Sequence, residues 1–150
     1  MFVNAIEKVG QFTRPIHTIS RNFNEKIVNP GAATLFFVNE LGCAITCKHV
    51  AELITNRHKI NSDYDNFLKE KALIGKNNKY NKRIKELEAK YNLKSNIIVQ
   101  LSERFIDCTL DPTFNYRCIN HPNYDLSILI FENFKNPAYL SHATFLKDTS

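Results

Sequence analysis

A chain of 150 residues with 43% apolar and 23% charged side chains has the length and composition of one soluble globular domain. No run of about 18 apolar residues occurs, and Glu7, Lys8 and Arg14 interrupt a weakly apolar N-terminal segment, so neither a membrane span nor a secretory signal is expected and the cytoplasm is the default compartment. The formal net charge of +5 is concentrated: Lys69 to Lys94 carries nine Lys/Arg against three Asp/Glu, whereas the rest of the chain carries 11 against 12.

Phe2, Ala5, Ile6 and Val9 recur at helical spacing and predict a short amphipathic helix over residues 2–10, ending at Gly10 and suited to pack across a barrel end. Thr13 to Ser20 alternates apolar and polar residues as a strand does, with His17 on the solvent side, and Asn29-Pro30-Gly31 punctuates the turn that follows. Gly31 to Val38 and Cys43 to Val50 are two β-type runs around the polar turn Asn39-Glu40-Leu41-Gly42, which predicts a β-hairpin. Its second strand ends in His49, where the pattern breaks into Ala51-Glu52-Leu53-Ile54.

Residues 61–95 abandon the β pattern. Asn61-Ser62-Asp63 offers N-caps, Tyr64, Phe67 and Leu68 begin an apolar face, and Tyr80, Ile84, Leu87 and Tyr91 continue one at helical spacing. The expectation is a helical hairpin broken at Gly75-Lys76-Asn77-Asn78, inserted into the β-structure and projecting from it. Its basic stripe is of a kind that attracts phosphates or an acidic partner, although lysine-rich helices with interspersed glutamates are commonly solvated faces. Asn96 to Leu101, Arg104 to Cys108, Asn115 to Ile119 and Asp125 to Phe131 then supply further strands. The expected fold is mainly β: one antiparallel six-stranded barrel with an N-terminal helix and the helical insertion, all within a single domain of residues 1–150.

Four cysteines suit a reducing compartment. Cys43 and Cys47 on one strand would lie about 13 Å apart and could not bridge. Cys108 and Cys118 could face each other if Asp111-Pro112 opens a hairpin. A metal set of Cys43, Cys47 and His49 with Cys118 or His121 lacks the tight clips of structural zinc sites, so no metal and no cofactor is expected and the cysteines read as small buried hydrophobes.

Thr46-Cys47-Lys48-His49-Val50 after the hairpin, and Tyr124-Asp125-Leu126-Ser127-Ile128-Leu129 downstream, resemble the histidine and aspartate motifs of the trypsin-like serine peptidases, in that family's chain order. The resemblance implies that His49 is the general base and Asp125 its orienting partner. It also implies the first barrel of a two-barrel chymotrypsin-like fold, in which Asn136 to Leu140 begins the linker and the chain continues past Ser150. The 76-residue interval between the motifs exceeds the family's usual spacing, and an insertion of about 35 residues at 61–95 accounts for the excess. Gly31-Ala32-Ala33 and Cys47-Lys48 depart from the family's usual Gly-Ser-Gly and Ala-Ala.

The family's third member, a serine in a Gly-x-Ser-Gly turn, has no counterpart. Ser20, Ser62, Ser95, Ser102, Ser127, Ser141 and Ser150 all lack a preceding glycine, and no glycine follows Gly75. The two-barrel fold needs roughly 200 residues, so the second barrel and its serine are expected outside this chain, which alone should be inactive. The functional expectation is a serine endopeptidase acting on peptide or protein substrates once that second barrel is supplied. Two alternatives are a non-catalytic trypsin-like binding module and a nucleic-acid-associated domain acting through the basic insertion.

Overall fold

The computed structural model describes residues 2–106, 108, 115–132, 134 and 143. In chain order it has α1 (Phe2–Gly10), β1 (Thr13–Asn22), β2 (Asn29–Phe37), β3 (Cys43–Thr46), α2 (Lys48–Thr55), α3 (Arg57–Ala72), α4 (Tyr80–Lys90), β4 (Ile98–Phe105), β5 (Tyr116–Asn120) and β6 (Ser127–Phe131). Helices and strands each take about a third of the chain, and the strands form one six-stranded antiparallel sheet in the order β4-β1-β2-β3-β6-β5. That order is linear, with β4 and β5 as its ends; among the described residues no ladder joins the two. Asn136 to Leu140, expected as a linker, and Asp111-Pro112, expected as a turn, lie outside the described residues.

The chain divides into two compact units, one of residues 1–17, 32–53 and 103–150, the other of residues 18–31 and 54–102. In the first, β3 pairs with β2 at Phe36–Ile45 and with β6 from Cys43–Ile130 to Thr46–Ser127, and β6 pairs with β5 from Tyr116–Phe131 to Asn120–Ser127. Strand alternation sends Ala44 and Thr46, Leu35 and Phe37, and Leu129 and Phe131 inward. Phe131 meets Phe105 and Phe37 edge-on, with ring centroids 5.2 and 6.2 Å apart.

Two local devices shape this unit. Arg14 is buried, and its Nη1 donates to the carbonyls of Gly10, Gln11 and Thr13 at 3.2, 3.2 and 2.9 Å, so the end of α1 satisfies a charge that burial would otherwise penalise. The β2–β3 turn closes on Asn39, whose Oδ1 accepts the N–H groups of Leu41 and Cys43 at 2.9 and 3.2 Å, and Gly42 completes it at φ +90°. The helix expected at 2–10 is present, but Ala5, Ile6 and Val9 of its expected stripe stay exposed instead of packing across a barrel end.

The second unit corrects the picture of a self-contained insertion. Residues 61–95 contribute no strand, as expected, yet Phe67 of α3 and Leu87 of α4 share a core with Phe23, just after β1, and Val99 of β4. Tyr64 stacks on Phe67 and Tyr91 meets it edge-on. The helices also begin earlier than their cap signals implied, at Lys48 and Arg57 rather than after Asn61-Ser62-Asp63. Asn61 has a stronger use: its side chain donates to the Leu101 carbonyl and accepts the Leu101 N–H, both at 2.9 Å. Leu68 is exposed, which removes it from the apolar face that Tyr64 and Phe67 present on α3.

Candidate active site

The site is built where β3 gives way to α2. Thr46 is buried, pairs with Ser127 and donates through Oγ1 to the Thr34 carbonyl at 2.8 Å, which anchors the strand's last residue. The chain then leaves the sheet at once. The Ala51 N–H bonds the Cys47 carbonyl at 3.0 Å, so Cys47 occupies the cap position of α2. His49 therefore sits in the first turn of α2, not at the end of a longer β3 as its β-rich flanks implied. Buried Ala51 and Ile54 recur at helical spacing and explain why this segment coils.

Cysteine is a poor cap, and the acceptor comes from elsewhere in the sequence. Asp125, 76 residues downstream in the β5–β6 loop, accepts the His49 backbone N–H on Oδ1 at 2.9 Å, while its Oδ2 lies 2.6 Å from His49 Nδ1. The backbone N–H of Lys48 also favours the charged carboxylate. The backbone bond to His49 is the largest cause, and the His49 ring the next, of an Asp125 pKa below its ordinary 3.8. Both side chains are open to solvent, at 71% and 56% exposure, so this is a presented pair and not a buried one.

The loop that carries Asp125 is itself organised. His121 Nδ1 accepts the N–H groups of Asn123 and Tyr124 at 3.0 and 3.1 Å, which places the ring proton on Nε2, and the Tyr124 ring lies 4.8 Å from the imidazole. The His121 N–H reaches the Leu126 carbonyl at 2.8 Å. Lys48 Nζ donates to the His121 carbonyl at 3.1 Å, a second tie between α2 and this loop. Neither His121 nor Lys48 carried a structural role in the sequence reading; the His-x-x-Tyr-Asp spacing of a short hairpin loop was the available signal.

The two sequence-nominated residues, His49 and Asp125, are thus brought together. Ser127 is not a third member: it is buried, and its Oγ donates to Asn120 Oδ1. Ser20, Ser62, Ser95 and Ser102 belong to the other compact unit, and Ser141 and Ser150 lie outside the described residues. All four cysteines are free thiols, so Cys108 and Cys118 are not bridged. Cys108 alone is fully buried, whereas Cys43 and Cys118 are partly exposed and Cys47 is exposed, which corrects the expectation of four buried cysteines. Of the metal set weighed from spacing, only Cys47 and His49 come together, and their third neighbour is Asp125.

In the other unit, the nine Lys and Arg residues of the 69–94 segment are all exposed, as a solvated face requires. Lys90 bonds Glu70 at 2.9 Å, and the Tyr91 hydroxyl donates to the same carboxylate at 2.9 Å. No helix is long and apolar enough to cross a membrane, among the described residues. No family model, no curated protein and no solved structure matches the chain.

Proposed function

We propose that this chain carries the histidine and aspartate half of a trypsin-like serine endopeptidase, with His49 as general base and Asp125 as its orienting acid. The observation that carries the reading is the two-point contact between them, ring to Oδ2 and backbone to Oδ1. With the Nδ1 proton directed at Asp125, the lone pair of the neutral imidazole lies on Nε2, on an exposed side chain. A serine hydroxyl brought within hydrogen-bond reach of Nε2 would lose its proton there as it attacked a peptide carbonyl. The same nitrogen would return that proton to the leaving amine, and Asp125 would stabilise the intervening imidazolium. The nucleophile and its oxyanion-binding amides would come from a second barrel.

The first six-stranded half of a chymotrypsin-like fold is the finer form of this proposal. It is supported by six antiparallel strands, by a β2–β3 hairpin leading into His49 and by a β5–β6 loop bearing Asp125. The experiment is fluorophosphonate labelling of the chain with and without the residues encoded downstream of Ser150. The 150-residue chain should not label; the extended chain should, and His49→Ala should abolish it. Labelling of the short chain, or an extended chain that stays inert with His49 and Asp125 intact, overturns the proposal.

One observation favours a second reading. Asp125 caps α2 as well as facing the imidazole, and a helix cap is useful without any chemistry. A non-catalytic module would retain the contact for the fold alone. In that case the reading frame beyond Ser150 would encode no glycine-flanked serine.

A further inference from the structure

The sulfur of Cys47, a ring nitrogen of His49 and a carboxylate oxygen of Asp125 all lie within 4.8 Å of one another, and all three residues are exposed. We infer that these three side chains form a binding site for a thiophilic divalent cation, Zn²⁺, at the mouth of α2. The donor set is mixed sulfur, nitrogen and oxygen. Thiolate and imidazole together favour zinc over the hard, oxygen-seeking cations. Three protein ligands with a side open to solvent is the pattern in which zinc keeps one position for water or another ligand.

The geometry requires little movement. Metal–ligand lengths of about 2.0–2.3 Å place tetrahedral donors about 3.5 Å apart. The Cys47 sulfur closes to that spacing from at most 4.8 Å, while His49 Nδ1 and Asp125 Oδ2, now 2.6 Å apart, open to it and give up their hydrogen bond, both by rotation of exposed side chains. The backbone beneath is hydrogen-bonded: Cys47 caps α2, His49 lies in its first turn, and Asp125 is tied to that turn through the His49 N–H. The site is therefore preorganised in its main chain and adjustable only in its exposed side chains. Sequence spacing concealed it, because Cys-x-His is too short for a zinc clip and the third ligand lies 76 residues away.

Zinc binding would displace the Cys47 thiol proton and draw His49 into coordination, so uptake should release protons and weaken as pH falls. The consequence for activity rests on the peptidase reading. A coordinated His49 cannot serve as general base, so zinc would act as a reversible inhibitor of the completed enzyme, and Cys47, which takes no part in proton transfer, would be the residue conferring that sensitivity.

The test is titration of the reduced 150-residue chain with Zn²⁺ and with Co²⁺, by calorimetry and by absorption. The expected result is one tight equivalent, with a thiolate-to-cobalt charge-transfer band that disappears in Cys47→Ser. His49→Ala and Cys47→Ser should each weaken zinc binding by at least about tenfold, and bound zinc should slow alkylation of Cys47 relative to Cys43 and Cys118. Equal affinity in wild type and both variants, or a cobalt band that survives Cys47→Ser, overturns the site, because the metal would then be held by other thiols. The titration needs no activity. If the extended chain never labels with fluorophosphonate while zinc still binds, only the peptidase reading fails; if it labels but zinc does not bind, only the metal site fails.

Discussion

Asp125 holds His49 twice, by the backbone N–H on one oxygen and the ring on the other, so a single carboxylate links the start of a helix to the orientation of an imidazole. The link makes stability and imidazole orientation separable by substitution. Asparagine keeps an acceptor for the His49 N–H but loses the charge; alanine loses both. Melting temperatures should fall in the order wild type, Asp125→Asn, Asp125→Ala, whereas any activity of the completed enzyme should fall steeply in both variants, since an amide can hold the ring in the wrong tautomer.

The pH dependence of that contact has a definite sign. The folded-state pKa of Asp125 lies below its ordinary 3.8, so in the interval between the two the unfolded chain binds more protons. The stabilisation is fully present above the ordinary value and is lost as pH falls through the lowered one. Urea melts of wild type and Asp125→Ala should differ at about pH 6 and draw together as pH is lowered below 3.8. A difference that grows on acidification would contradict this assignment of charge.

Phe67 is the centre of the second unit's core, 1% exposed and in ring contact with Phe23, Tyr64 and Tyr91. Phe67→Ala should cost about 3–5 kcal/mol, the range for an aromatic removed from a core that cannot collapse fully. Excising residues 61–95 and bridging the gap should likewise destabilise the chain, because Phe23 and Val99 would lose the side chains that cover them. Denaturant unfolding measures both; an excised chain with unchanged midpoint would show that the helices are an independent appendage.

What was legible in the sequence follows from range. The spacing of Phe2, Ala5, Ile6 and Val9 is a local signal, and the helix forms where it predicts, but whether anything covers that stripe is not local, and Ile6 and Val9 are exposed. The β2–β3 turn was readable because Asn39 and Gly42 act within five residues. The start of α2 was not: Thr46 to Val50 looks β-like, and the cap that allows the helix to begin is supplied by Asp125 from another loop. Asn61 was misread for a related reason, since its partner Leu101 lies 40 residues away. The His49–Asp125 pairing was legible only through resemblance, and the nearness of Cys47 to it only through coordinates.

Gly42 offers a sharp test of the hairpin that leads to His49. Its φ of +90° is unfavourable for any residue with a Cβ, and a Cβ there would meet the Phe134 ring at 2.6 Å. Gly42→Ala should cost about 1–3 kcal/mol from backbone conformation, with more from displacement of Phe134. A neutral substitution by thermal melting would mean that the turn can readjust without this geometry.

Asn61 permits the cleanest measurement of a single side chain closing on a strand. It donates to the Leu101 carbonyl and accepts the Leu101 N–H at equal distances of 2.9 Å, completing a two-bond ring that a backbone neighbour would otherwise make. Asn61→Leu keeps the size but removes both bonds, stranding a donor and an acceptor on a residue that is itself buried. The cost should be about 1–3 kcal/mol for each group left unsatisfied, less whatever water can recover. Asn61→Asp keeps an acceptor for the N–H but turns a second carboxylate oxygen toward the carbonyl, so it should be no better than leucine near neutral pH. It should recover part of the loss in acid, where the protonated carboxyl can donate again. Hydrogen exchange at the Leu101 amide reads the local bond, and denaturant melts read the whole. Unchanged exchange at Leu101 in Asn61→Leu would show that the amide finds another partner and that the side chain is not what closes this stretch of β4.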